Sequence, residues 1–260
     1  MNTDCLEIRK NILHISKASG HGHIPTCFSV VEIIYAVYDA MKHDPRNPLL
    51  EDRDVFILSK GHAALAHYCV LSRFGYFGIE GVYGFGAFMS QFGCHADRLK
   101  VPGIEASSGS LGHGIGIAAG MALAFKIQKN DRRVFVLVGD GESNEGSVWE
   151  AVMVAVNLKL NNLTVIYDNN MSHARGLQIL DPAGHFRGFG CEVSEVDGHN
   201  LDELKRELNK PANAPKVIIA NTKKGHGCGT LVESQYEWHR RSPNGEEFEK
   251  LMGELCEKTI

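Results

Sequence analysis

The sequence predicts one α/β domain with a doubly wound, mostly parallel sheet that carries helices on both faces. Short apolar runs rich in β-branched residues, such as Val134 to Val138 and Leu163 to Tyr167, are typical of strands buried in a parallel sheet. Segments with helical periodicity alternate with these runs along the chain. The length of 260 residues allows one large domain or two small ones, and no linker or repeat divides it. We therefore expect a single domain over residues 1–260.

The first half of the chain alternates between helices, loops and one strand. Apolar positions at helical spacing predict a first helix, and Ser29, a residue suited to capping, precedes the second. In order, we predict a helix over residues 4–18, a histidine-containing loop over 21–28, a helix from Ser29 to Met41, a surface connection over 44–54, a strand over 55–58, a helix to Phe74, helical turns and loop over 75–93, and an Ala/Gly-rich helix to Lys129.

The second half contains the strands that end in polar residues. Two glycines, Gly139 and Gly141, allow a tight turn after the strand over 134–138. The elements predicted after that turn are a helix over 147–160, a strand over 163–167, a loop over 171–187, a strand over 191–196, a helix over 201–208, a strand over 217–221, an irregular tail, and a helix from Gly245 to Lys258.

Charge and composition exclude several classes of protein. A net charge of −4 and a pI near 6.3 argue against binding to nucleic acid or to a membrane surface. No uncharged apolar run approaches the ~18 residues that a transmembrane helix needs, and the charged N-terminal segment does not fit a signal peptide. Seven scattered cysteines without a C-x-x-C pair indicate no disulfide framework. A reducing cytoplasm is the expected location.

Polar residues follow two consecutive strands. Asp140 follows the strand over 134–138, and Asn170 follows the next one. A right-handed crossover brings both strand ends to the same edge of the sheet. Carboxylate and amide oxygens are hard ligands that suit Mg²⁺, while turn amides and a helix N-terminus suit an anion. Either turn alone is common in α/β domains, but the two together at one sheet edge suit a diphosphate held through a divalent metal.

Several of the thirteen histidines lie where strands give way to helices. A single loop histidine is usually a surface or hydrogen-bonded residue. Imidazoles can also donate to phosphate and hydroxyl oxygens and can move protons near neutral pH. Four histidines in small-residue loops are expected to converge on one sheet edge as binding or catalytic groups: His23, His62, His95 and His239.

The motifs, in their order along the chain, resemble those of the N-terminal, diphosphate-binding region of transketolase. The chain is similar to the N-terminal subunit of split, two-gene transketolases. The matching segments are G-H-I near residue 22, S-K-G-H-A at 59–63, P-G-I-E-A-S-S-G-S-L-G at 102–112, G-D-G at 139–141, E-G-S-V-W-E-A at 145–151, D-N-N at 168–170 and E-W-H-R-R-S-P at 237–243. The resemblance covers nearly the whole chain and implies the thiamine-diphosphate-binding fold of the diphosphate (PP) type.

The resemblance also implies roles for matching residues. The metal, Mg²⁺ with Ca²⁺ or Mn²⁺ as substitutes, would be held by Asp140, the side chain of Asn170 and the backbone carbonyl of Ser172. Thiamine diphosphate would be contacted by these and by His62, Gly109, Leu111, Gly139, Gly141, Glu145 and His239. Catalysis would involve His23, His95, His239 and Glu145, and Glu145 and Glu150 match acidic residues at the interface between cofactor sites.

The chain departs from the family pattern beside the predicted substrate path. Ile24 to Cys27 stand where many relatives carry glycines and a serine, and His21 competes with His23 for the same role. His113 replaces a common Gln, and the loop after Asn170 is short. These changes affect the choice of sugar more than the cofactor ligands.

The resemblance implies transfer of a two-carbon ketol unit from a ketose, expected to be a sugar phosphate, to an aldose. Transketolases activate the cofactor with a glutamate from a second domain, and we find no match to that domain in this sequence. We therefore expect a C-terminal partner subunit with the pyrimidine-binding domain, in a two-plus-two assembly. The alternatives are a subunit of another thiamine-diphosphate enzyme, such as a 2-oxo-acid dehydrogenase or carboligase, and a non-catalytic diphosphate-binding domain.

Overall fold

A computed structural model describes residues 1–257 of the chain. The strands of this part form one sheet: β1 (Val55–Leu58), β2 (Val134–Gly139), β3 (Leu163–Asn169), β4 (Glu192–Asp197) and β5 (Lys216–Asn221). Their order across the sheet is β1-β2-β3-β5-β4, and every neighbouring pair is parallel. Parallel pairing places the carboxyl ends of the strands along one edge. The predicted fold class is confirmed.

Helices cover both faces of this sheet. They are α1 (Thr3–Ser19), α2 (Ile24–Ser29), α3 (Val31–Ala40), α4 (Ala64–Arg73), α5 (Ile79–Val82), α6 (Gly114–Ile127), α7 (Gly146–Asn157), α8 (Pro182–Phe189), α9 (Leu201–Asn209), α10 (Gly229–Glu233) and α11 (Gly245–Glu257). The last predicted helix is observed as α11, although Lys258 lies outside the described residues. Among the described helices, none combines the length and apolar character that a membrane span requires.

Alternate strand residues point to opposite faces and build two hydrophobic cores. On one face, residues such as Phe56 and Leu58 of β1 pack with α1 to α4, α9 and α11. On the other face, Val55 and Ile57 pack with α6, α7 and α8. Because both faces are covered, the strand sequences are almost continuous apolar runs.

The segment predicted as a loop over 21–28 contains a short helix, α2, and Ser29 does not cap the following helix. Every residue of α2 is buried, so tertiary packing stabilises a helix that is too short to be stable alone. Pro25 fits its first turn, where a missing N–H costs no hydrogen bond. The Ser29 hydroxyl lies 2.9 Å from both the Thr26 carbonyl and the Asp168 carboxylate. Ser29 therefore belongs to a buried polar network.

The prediction of a loop over 171–187 is wrong in its second half, where α8 forms. Asp181 caps this helix, because its Oδ1 accepts a hydrogen bond from the Gly184 N–H at 2.7 Å, and Pro182 occupies the first turn. Phe186 is buried against Trp149, with ring centroids 5.0 Å apart. Helix α10 also lies within the stretch predicted as an irregular tail.

A buried ion pair joins α1 to α3. Arg9 is fully buried, and its guanidinium contacts both carboxylate oxygens of Glu32, with Nη2 2.6 Å from Oε2. The same group donates to the carbonyl oxygen of Phe28 at 2.8 Å. Burial alone would raise the pKa of Glu32, but the Arg9 charge and hydrogen bonds from His199 and Arg9 outweigh burial and lower the pKa to about 2.

Replacing Glu32 with Gln is expected to lower the free energy of unfolding by about 3–5 kcal/mol, because the Arg9 charge would stay buried without a counterion. Chemical denaturation at neutral pH measures the change. Glu7→Gln is the control, since the Glu7–Lys10 ion pair is exposed and contributes little. The folded-state pKa of Glu32 lies below its ordinary value of 4.5, so this stabilisation is present above pH 4.5 and disappears as the pH falls toward 2. A loss below about 1 kcal/mol would contradict the assignment.

Candidate active site

Asp140 and Asn170, predicted to meet at the carboxyl edge of the sheet, lie together there. β2 and β3 are paired neighbours, and Gly139 is in register with Asp168. The backbone N–H of Ser172 lies 2.7 Å from Asp140 Oδ2 and 3.0 Å from Asn170 Oδ1. Both side chains are buried. Their oxygens thus surround one point at the ends of two adjacent strands.

Asp140 is a buried carboxylate with little charge compensation. Its Oδ1 accepts a hydrogen bond from the Gly141 N–H at 2.6 Å. His173 Nδ1 lies 2.8 Å from Oδ2, although its N–H is not aligned for a hydrogen bond. Burial raises the pKa of Asp140 and the charge of Asp168 raises it further, while His173 and Gly141 oppose the rise. A divalent cation at this point would compensate the buried charge of Asp140.

Asp168, within β3, orients the amide of Asn170. Its buried carboxylate pairs with the Lys60 ammonium and accepts a hydrogen bond from the Thr222 hydroxyl. It also accepts from Asn170 Nδ2 at 2.7 Å. Because Asp168 holds the amide nitrogen, the amide oxygen faces the Ser172 N–H beside Asp140. Asp168, paired with Lys60, therefore fixes the orientation of the Asn170 amide in the predicted metal-binding pair.

Three of the four predicted histidines form a cluster next to this pair. The ring centroid of His23 lies 5.4 Å from that of His62 and 5.0 Å from that of His239, and the last two are 6.3 Å apart. The backbone N–H of His23 also donates a hydrogen bond to the backbone carbonyl oxygen of His239, at 3.1 Å. A Cβ at Gly22 would lie 2.4 Å from the carbonyl carbon of Arg240, so a residue with a side chain could not sit there without moving the backbone.

His95, the fourth predicted histidine, lies beside this cluster, whereas His21 does not join it. A Cβ at Gly61 would lie 3.0 Å from both His95 Cδ2 and the Gly109 nitrogen, so both loops approach the residue that precedes His62. The His21 ring instead packs under Gly86, 2.2 Å from where a Cβ would be. Of the two candidates in the first loop, His23 is therefore the one placed among the other histidines.

Burial and nearby positive charges lower the pKa of each of the three clustered histidines, which favours their neutral forms. Burial, followed by the charges of His239, His95, Arg240 and Lys224, lowers the pKa of His23 to about 4. Burial and the Lys60 charge hold the pKa of His62 well below its usual range, and burial with the Lys224 charge lowers the pKa of His239. The cluster thus lies in a region of excess positive charge, which favours an anionic ligand.

Lys224 also lies at the candidate site, although it was not among the residues predicted from the sequence. It is 3% exposed, and its Nζ lies 2.8 Å from Ser172 Oγ and 3.4 Å from His239 Nδ1. Within residues 1–257, no carboxylate oxygen lies within 4.0 Å of this nitrogen. Burial, and next the charge of Lys60, lowers the pKa of Lys224 to about 8. A buried ammonium without a paired carboxylate fits a phosphate ligand.

The remaining predicted residues lie nearer the protein surface, at the edge of the candidate site. Leu111 is half-buried and precedes Gly112, which has a φ of +78°. Glu145 is exposed at the start of α7, and its Cβ would lie 2.8 Å from a Cβ at Gly112. Glu150 is also exposed and lines a groove between α6 and α7, which His113 lines as well. Both glutamates therefore face the surface beside the 109–112 segment.

A parallel sheet with a carboxylate, an amide and basic side chains at the ends of its central strands defines an α/β domain whose site suits an anion held together with a divalent cation. The chain belongs to the transketolase family, because residues 6–251 match the family model described as transketolase, thiamine diphosphate binding domain. The family membership inferred from the sequence motifs is thereby confirmed.

Two relatives match over nearly the whole of both chains. One is an apulose-4-phosphate transketolase subunit from Actinobacillus succinogenes, 36% identical over 255 residues, which cover 95% of this chain and 92% of the relative. The other is a 6-deoxy-6-sulfo-D-fructose transketolase subunit from a Clostridium species, 35% identical over 257 residues, or 95% and 93% of the two chains. The chain is thus a transketolase-type, thiamine-diphosphate-binding subunit of a transferase.

The solved structures match over only part of their length. Transketolase from Campylobacter jejuni superposes with a TM-score of 0.86 at 27% identity, covering 98% of this chain and 43% of that one. The chain thus corresponds to one portion of the longer transketolase.

Proposed function

We propose that this chain is the diphosphate-binding subunit of a two-subunit transketolase that moves a two-carbon ketol unit from a ketose to an aldose with thiamine diphosphate and Mg²⁺. The meeting of Asp140, Asn170 and the buried Lys224 at one sheet edge carries this proposal. Two oxygens suit a divalent cation, and an ammonium without a counterion suits a phosphate. A metal-bound diphosphate satisfies both requirements together.

In this proposal, Asp140, Asn170 and Ser172 hold the metal. An all-oxygen ligand set suits Mg²⁺, with Ca²⁺ or Mn²⁺ as substitutes. The Ser172 N–H contacts both side-chain oxygens in the structure, which places the Ser172 backbone beside the proposed metal position. Space for the ligand exists beside Gly141, because no atom of the described chain, its immediate neighbours aside, lies within 4 Å of a Cβ built there.

Residues around the proposed metal site would contact both ends of the cofactor. His62, His239, Lys224, Gly139 and Gly141 would contact the diphosphate, while Gly109 and Leu111 would lie against the aminopyrimidine ring. When bound, thiamine diphosphate supplies the carbon nucleophile that cleaves the ketose. His23, His95 and His239 would bind sugar hydroxyls and exchange protons with them. A neutral His23 suits this task, since one ring nitrogen donates while the other accepts.

Replacing His23 or His95 with Ala is expected to lower kcat/KM by about 100-fold, the usual scale for a positioned acid or base. Affinity for thiamine diphosphate should change little, because in this proposal neither histidine holds the metal or the diphosphate. Steady-state kinetics and cofactor titration, on the complex with the partner subunit, measure the two effects separately. His21→Ala is the matched control and should retain nearly normal turnover. A His23 variant that loses cofactor yet turns over normally when saturated would contradict the assigned role.

A groove between α6 and α7 supports the proposed partner subunit. It has a volume of about 530 Å³ and is lined mainly by small and apolar residues, including Gly116, Gly120 and Val154. Met153, on α7, has 53% of its surface exposed. Exposed apolar surface of this kind favours association.

The relative from Actinobacillus succinogenes is itself named as one subunit of a transketolase, which implies a second subunit in that enzyme. We propose a two-plus-two complex, with the pyrimidine-binding domain on the partner and Glu145 and Glu150 near the interface.

The proposed substrates are sugars with an anionic group. This rests on the relatives, one named for apulose-4-phosphate and the other for 6-deoxy-6-sulfo-D-fructose. A screen of phosphorylated and sulfonated ketose donors against aldose acceptors, with the partner subunit present, tests the function directly. Absence of ketol transfer from every donor would refute it. No disulfide joins the cysteines of the described residues, which suits the proposed cytoplasmic location.

A further inference from the structure

Glu142, in the turn after β2, connects three separate segments of the active site. Its side chain is 3% exposed. Oε1 accepts hydrogen bonds from the Ser59 hydroxyl and from the Gly112 N–H, the latter at 2.9 Å. Oε2 accepts from the Gly139 N–H at 3.0 Å. One carboxylate therefore joins the end of β1, the segment before α6 and the end of β2.

Each of the three donors lies next to a residue of the candidate site. Ser59 precedes Lys60, Gly112 follows Leu111, and Gly139 precedes Asp140. These segments also pack tightly, since a Cβ at Gly114 would lie 2.5 Å from Ser59 Oγ. A shift of one segment is therefore transmitted to the others.

The arrangement requires a carboxylate. Glutamate accepts at both oxygens, and here both are in use. Glutamine has nearly the same shape, but its amide nitrogen only donates and would oppose one of the donors. A buried N–H left without an acceptor is unfavourable, so the affected segment would move away.

We propose that Glu142 is a positioning residue that fixes the 109–112 segment relative to the 139–141 turn, so that the two ends of one cofactor molecule are bound together. This inference rests on the proposed function. Glu142 itself touches no reacting atom in this scheme. It acts through the backbone of Gly112 and Gly139.

Hydrogen exchange on the full-length chain tests this coupling, with Mg²⁺ and inorganic pyrophosphate as the probe. The probe reaches only the diphosphate end of the site. Amide exchange at Gly139 is expected to slow about tenfold, and exchange at Gly112 is expected to slow with it. In Glu142→Gln the effect at Gly112 should disappear, and affinity for thiamine diphosphate in the assembled complex should fall about tenfold. Val136→Ala, a core substitution in β2, is the control for general loss of stability.

Slower exchange at Gly139 without any change at Gly112 in the wild-type chain would overturn the inference and leave the proposed function intact. An equal loss of affinity in Val136→Ala would also overturn it, because the effect would then be one of stability. No effect of the probe on either amide would overturn the proposed function, and the inference with it. The wild-type measurement decides the matter even where Glu142→Gln does not fold.

Discussion

Asp140→Asn and Asn170→Ala are each expected to abolish Mg²⁺-dependent binding of thiamine diphosphate, a loss of at least about 100-fold, while the fold remains intact. Mg²⁺ is held by few protein oxygens, and each substitution removes or weakens one of them. Loss of Asn170 also removes the amide that donates to Asp168. Calorimetric titration of the assembled complex, with and without Mg²⁺, measures the change.

Asn169→Ala is the matched control for these two variants. Asn169 is the preceding residue, but its side-chain amide donates to Asn221 Oδ1 at 2.8 Å and does not contact the metal pair. Cofactor affinity should be normal in this variant. Circular dichroism and thermal unfolding without cofactor verify that Asp140→Asn and Asn170→Ala fold. Unchanged cofactor affinity in both would refute the metal site.

The chain without its partner is expected to show no ketol transfer, and addition of the partner subunit should restore it. The residues described here are proposed to bind the diphosphate end, and the glutamate that activates the cofactor is proposed to come from the partner. A coupled assay for the aldose product, together with a mass measurement of the assembly, tests both parts. Robust transfer by the purified chain alone would refute the division of the active site between two chains. A complex of unlike chains in a ratio other than one to one would refute the proposed assembly.

The strands were predictable because burial on both faces makes them apolar throughout. Val134 to Val138 has no polar residue, and its boundary is clear where Gly139 and Asp140 begin the turn. Helix α2 was not predictable in the same way. It is short, contains Pro25 and is buried on all sides, so its stability comes from contacts that no local pattern reveals. Helix α8 did have a local signal, the Asp181–Pro182 pair at its start.

The candidate site was predictable where a motif coincides with a strand end. Asp140 and Asn170 meet because parallel strands present their carboxyl ends at one edge. Lys224 and Glu142 were missed for a different reason. Each is one charged residue among many in the sequence, and its importance comes from burial and from partners distant along the chain. Such contacts become visible only when the fold is known.

The contact between His23 and His239 has a consequence for the order of events in folding. Adjacent strands such as β2 and β3 can pair after a modest length of chain has closed. The histidine cluster requires the segment before α2 to meet the segment before α11, which closes a far longer loop and carries a larger entropic cost. The chain can therefore build most of its sheet before the histidine cluster exists. We therefore expect binding competence to be acquired late, when the most distant segments dock.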